Sequence, residues 1–156
     1  MIRTFCILLA ALLFAVPLAS ASAAPTNGQY SSDELIREGH KFFGGLTEGL
    51  ASVVERAVSQ YGLPNGYILG QEGSGAIIGG LRYGEGTMNT KNAGRLDVFW
   101  QGPTIGADIG GNGDRVMMLV YNLPDTSAIY QRYLGVAGSA YVVAGFGMTA
   151  LGRNGI

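Results

Sequence analysis

The side chains able to do chemistry in this 156-residue chain are few, and their types limit what they can do. His40 is the single histidine and Cys6 the single cysteine. A transition-metal site needs several His, Cys or acidic ligands, and a histidine base needs a nucleophile within reach. No metal site, no cofactor and no catalytic residue is therefore expected. The carboxylates Glu72, Glu85, Asp97 and Asp108 stand in stretches that read as strands, so two of them could converge. Such a pair could carry out acid–base hydrolysis of the glycosidic kind. Sheets often juxtapose carboxylates with no such consequence, so a hydrolase is only the second alternative.

Arg82 and Asp108 carry more information, because each is a charge among apolar and glycine positions. Burying either one unpaired would cost several kcal/mol, so both need internal partners. They read first as an ion pair or hydrogen-bond network that fixes strand register, and second as a pair orienting a ligand. Tyr83 and Trp100 read as wall residues, with a binding surface as the alternative. Arg82, Tyr83, Trp100 and Asp108 are thus the candidate ligand-binding residues. Gly73-x-Gly75 with Gly79 imitates a dinucleotide fingerprint, but the third glycine is displaced by one. No helix can begin at Ile77-Ile78-Gly79-Gly80 to receive a pyrophosphate. No Gly-Lys-Ser/Thr completes a phosphate loop.

The elements that must position these residues follow from periodicity. Ser31 to Glu34 is a capping box opening a first helix, which Gly39 limits to a few turns and Gly44-Gly45 breaks. Leu46, Leu50, Val53, Val54, Ala57, Val58 and Tyr61 then form one apolar helical stripe, stopped by Gly62 and Pro64. That helix is expected to cover a barrel. Strand patterns follow at Tyr67–Gln71, Gly75–Tyr83, Thr87–Asn89, Leu96–Gln101 and Ile105–Ile109, with a hairpin turn at Lys91–Gly94 and a second at Asn112-Gly113. Arg115–Tyr121 is apolar on both faces and is expected to lie centrally. Asp125 should cap a helix over Thr126–Leu134. Ser139–Ala150 reads as a long strand, followed by a turn at Arg153-Asn154-Gly155.

Composition agrees with β-structure. All 26 glycines lie at or after Gly28, with no Gly-X-Y period, as suits a tightly curved sheet. Residues 1–23 have the order of a secretory signal: Arg3, an apolar run from Phe5 to Leu18, and Ala21-Ser22-Ala23 as a cleavage site. That run is shorter than the ~20 residues of a membrane span, so no span is expected after cleavage. Cleavage would also remove Cys6, leaving a fold held by packing alone. Without Arg3, nine Lys and Arg face 11 Asp and Glu, a formal −2 with no basic cluster. This argues against nucleic acid as a partner.

Leu46–Leu50, Gly73–Ala76, Gly80–Thr87, Trp100–Gly106, Leu119–Pro124 and Gly138–Tyr141 together resemble the periplasmic envelope-integrity protein A family. The resemblance runs from about Phe42 to Ile156. It implies a small β-barrel exported to the periplasm, a role in maintaining the cell envelope, and no catalytic residues to carry over. Members of the family continue for several strands beyond the point where this chain stops. The glycine-rich pattern is more weakly similar to SYLF-type lipid-binding domains.

The expected fold is α+β: a small glycine-rich antiparallel β-barrel with one main amphipathic helix packed against it, incomplete at the C-terminus. Its organisation is a signal peptide at 1–23, a flexible lead and short helix at 24–45, and the helix-plus-barrel domain at 46–156. The expected function is non-enzymatic support of the envelope, in contact with an envelope lipid or another envelope protein. A module binding lipid or a small hydrophobic ligand is the alternative. An unpaired final strand would leave an open edge for pairing with a second chain.

Overall fold

The computed structural model describes residues 25–45, 48–75, 81–103, 113–153 and 155–156. Two helices lead the chain. Helix α1, Ser32–Phe43, begins at the expected capping box: Ser31 Oγ accepts from the Glu34 backbone N–H at 3.2 Å, and Glu34 Oε2 accepts from the Ser31 N–H at 2.8 Å. It runs through Gly39, where the missing side chain lets Leu50 of the second helix approach, and ends at Gly44. Helix α2, Glu48–Tyr61, buries Leu50, Val54 and Ala57 of the expected stripe and leaves Tyr61 partly exposed. Leu46 lies outside the described residues.

The main sheet has four antiparallel strands in the order β3-β2-β1-β4. Their ranges are Gly66–Gly75 for β1, Leu81–Thr90 for β2, Gly94–Pro103 for β3 and Asp114–Val120 for β4. Strand β2 runs further than expected at its C-terminal end: Thr87–Asn89 continues it, and the Lys91–Gly94 turn joins it to β3. Residues 76–80, read as part of a strand from Gly75, lie outside the described residues. So do 104–112, which hold the expected Ile105–Ile109 strand. Strand β4 is covered on both faces, as its composition requires, but it is an edge of the described sheet rather than its centre. The central position belongs to β1, whose neighbouring Tyr67 and Ile68 are buried on opposite faces.

Alternation along the strands divides the core in two. On one face Tyr67, with Leu69, Met117 and Leu119, packs against Leu35, Leu50 and Val54 of the helices. On the other Ile68, Met88, Val98 and Val120 form a second cluster with Leu123, backed by Trp100, Ala128, Ile129 and Ile156. The architecture is therefore α+β, with both helices on one face of an antiparallel sheet. Among the described residues the strands form an open sheet and not a closed barrel.

The C-terminal segment departs most from expectation. Asp125 does cap, accepting from the backbone N–H groups of Ser127 and Ala128, but the helix is a single 3-10 turn, Thr126–Ile129. The side chains of Gln131 and Tyr133 then donate to the carbonyls of Ala128 and Ile129, replacing the N–H groups of a continued helix. An isolated helix this short has little to sustain it. Ser139–Ala150 is not one strand. It holds the hairpin β6–β7, Tyr141–Val143 with Phe146–Met148, turning at Ala144 (φ 46) and Gly145 (φ 83). Two consecutive positive φ angles make the tight turn that matches strand twist. The hairpin lies on α2, where the Val143 and Ala144 carbonyls crowd Gly49. Strand β5, Leu134–Gly135, pairs with β8, Leu151–Gly152. The long edge expected for self-pairing is thus absent from Ser139–Ala150.

Candidate functional site

Strand register brings Glu72 and Trp100 to one place, over a glycine. Glu72 pairs with Gly84 across β1–β2, and Gly84 with Trp100 across β2–β3, so the three share one row on the face away from the helices. Gly70 and Gly86 form the adjacent pair of bare positions. The Trp100 ring lies in the trough these glycines leave. A Cβ on Gly84 would overlap the indole, and one on Gly70 would come within 2.7 Å of it. A large ring thereby covers backbone that has no side chains of its own.

The polar ends meet at Glu72. Trp100 Nε1 donates to Glu72 Oε1 at 2.7 Å, and Arg82 Nη1 donates to Glu72 Oε2 at 3.2 Å. Arg82 Nε also donates to the Pro103 carbonyl at 3.3 Å. Each carboxylate oxygen thus has its own donor, and one donor is charged. The Glu72 side chain retains 17% of its exposure and Arg82 retains 36%, so the pair sits at the mouth of the trough. The expected pairing of Arg82 is therefore realised with Glu72. Asp108, the anticipated partner, lies outside the described residues.

Tyr83 separates from Arg82 and Trp100. It follows Arg82 in the strand, so it faces the opposite side, where it is 53% exposed. That side holds an open groove of about 450 Å³. The helices pack on β1 and β4 on this face, while Glu85, Asp97 and Phe99 of β2 and β3 are exposed. One row of the groove runs Arg115–Gln71–Glu85–Phe99 across the four strands, and the next contains Leu69, Thr87 and Asp97. Phe42, near the end of α1, closes one side. Its carbonyl accepts from Arg115 Nη1 at 2.8 Å, and the guanidinium stands 5.9 Å from its ring.

Glu85 and Asp97 share this face, whereas Glu72 is on the other. Both are exposed, and Thr87 Oγ1 donates to Asp97 Oδ1 at 3.4 Å. The two offer negative charge to an incoming ligand in an open setting. Strands β1 and β2 are antiparallel neighbours, which excludes the parallel strand–helix–strand unit of a dinucleotide fingerprint at Gly73-x-Gly75. Among the described residues no group of three His, Cys, Asp or Glu could hold a metal ion.

Sequence reading missed Glu72 as the anchor of the cluster, and Phe99 and Arg115 as groove residues. A signal existed for each. Glycines two apart at Gly84 and Gly86 leave one strand face bare, which calls for a large neighbouring ring. Phe99, next to an inward Trp100, must face outward.

Comparison with known proteins adds the following. The family model for envelope integrity protein A matches residues 28–156. A crystal structure of a β-barrel-like, uncharacterised protein from Brucella abortus is similar at 60% identity and a TM-score of 0.77. The match covers 82% of this chain and 80% of that one. No match is found among curated proteins.

Proposed function

Because the chain belongs to the envelope integrity protein A family, we propose that it supports the cell envelope as a non-enzymatic protein of the periplasm. Residues 1–23 act as the signal peptide that delivers it, and its partner is an envelope lipid or another envelope protein. The observation that carries the non-enzymatic reading is the state of Glu72. Its two oxygens are occupied by Trp100 and Arg82, so the most enclosed carboxylate of the candidate cluster fixes strands instead of awaiting a substrate. A general acid or base needs a carboxyl able to exchange its proton with a reacting group. No described helix is long and apolar enough to cross a membrane.

Deleting the gene and challenging the cells with detergent and chelator tests the role. Loss of resistance, restored by the full chain and not by a chain lacking residues 1–23, is the expected result. Undiminished resistance of the deletion strain would overturn the envelope role. Equal rescue by the unexported form would overturn the periplasmic one.

A further inference from the structure

The groove on the helix-bearing face has opposite charges at its two ends, an exposed Phe99 ring beside the acidic end and the half-buried Phe42 beside the basic one. At one end Glu85 and Asp97 stand as diagonal neighbours on β2 and β3. The Glu85 side chain is exposed and makes no hydrogen bond among the described residues. Phe99, directly across from Glu85, is 68% exposed, which no packing role accounts for. Carboxylates beside an open aromatic ring suit an ammonium group, held by charge and by the ring face. At the other end Arg115 spends one N–H on the Phe42 carbonyl, which fixes the guanidinium at the groove wall. Its remaining donors are those that pair with a carboxylate.

We propose that this groove binds a short peptide of about three residues with free ends, its ammonium at Glu85, Asp97 and Phe99 and its carboxylate at Arg115. Length selects the peptide. Arg115 and Glu85 are two strand spacings apart, about 10 Å, and three extended residues span about 10 Å. A zwitterion whose charges are only a few bonds apart, such as an ethanolamine phosphate headgroup, falls short of both ends. The volume of about 450 Å³ lies within the ~300–1,000 Å³ of small-ligand sites. The proposal goes beyond the envelope role, which stands whether or not the groove is occupied.

Calorimetric titration of the purified protein with trialanine tests it, beside N-acetyl-trialanine, trialanine amide and phosphoethanolamine. Trialanine should bind, and acetylation should weaken it at least tenfold, as should Asp97→Asn or Glu85→Gln. Amidation and Arg115→Gln should each weaken it similarly through the other end. Because all three substituted residues are exposed, their circular dichroism and unfolding midpoints should match the parent. Should one of them fail to fold, the two modified peptides still decide the matter on the parent protein. Absence of trialanine binding, or equal binding of the acetylated peptide, would overturn the proposal. Binding of phosphoethanolamine in place of trialanine would overturn it too, by assigning the groove to a lipid headgroup.

Discussion

Trp100 and Gly84 face each other across the β2–β3 ladder, and the indole occupies the space a side chain on Gly84 would need. The trough is filled from a neighbouring strand, so neither residue can change alone. Trp100→Ala would empty it and should cost about 2–3 kcal/mol, below the usual range for deleting a fully buried aromatic because the ring is only partly buried. Trp100→Phe keeps part of the filling but orphans Glu72 Oε1, and should cost about 1–3 kcal/mol. Gly84→Ala should be destabilising through overlap, by about 1–3 kcal/mol. Urea unfolding followed by circular dichroism measures all three. For Gly84→Ala, fluorescence of Trp100, the single tryptophan, should also report an exposed ring.

Arg82 and Glu72 should prove energetically coupled. A double-mutant cycle with Arg82→Met and Glu72→Gln is expected to give an interaction energy of about 0.5–1 kcal/mol, modest because Arg82 is partly solvated. Additive effects of the two changes would mean that the ion pair contributes nothing to the sheet.

The hairpin Tyr141–Met148 should detach without the rest of the fold. Gly49 of α2 lies against the Val143 and Ala144 carbonyls, and a Cβ there would come within 2.8 Å of the Ala144 oxygen. Gly49→Val should therefore raise amide exchange across Tyr141–Met148 while leaving β1 and β2 protected. Unchanged exchange in the hairpin would contradict its seat on α2.

The sequence made some of this legible and hid the rest for definite reasons. Helix α2 and the β2–β3 hairpin were readable because their periodicity and turn residues are local signals. The inward Trp100 followed from strand alternation. The partner of Arg82 was hidden, because Glu72 and Trp100 are 28 residues apart and meet only through the register of three strands. The Tyr141–Met148 hairpin was hidden by its turn: Ala144 takes a positive φ that alanine seldom adopts, and Gly145 reads as one more glycine within a glycine-rich strand. Asp125 showed where a helix starts but not how long it lasts, since its cap serves a 3-10 turn equally well.

Tyr121 should govern part of the alkaline stability. Its hydroxyl is buried with no hydrogen-bond partner among the described residues, and burial, with Tyr61 beside it, pushes its pKa up to about 12 from 10.0. The unfolded chain therefore loses this proton first. The resulting stability is complete below pH 10 and is lost as the pH rises through about 12. Tyr121→Phe, which removes an unsatisfied hydroxyl, should be neutral or stabilising by up to about 1 kcal/mol at pH 7. It should also flatten the fall in unfolding midpoint between pH 10 and 12. An unchanged alkaline limb would show that the hydroxyl meets solvent.

The non-enzymatic account is tested most directly by envelope protection in a deletion strain carrying Glu72→Gln. Glutamine keeps an oxygen for the Trp100 N–H and loses the charge that acid–base chemistry would need. At matched periplasmic levels, detergent and chelator survival should equal that given by the parent chain, with only a small drop in unfolding midpoint. A stably folded Glu72→Gln protein that gave no protection would contradict the account, because Glu72 would then be doing chemistry and not holding strands together.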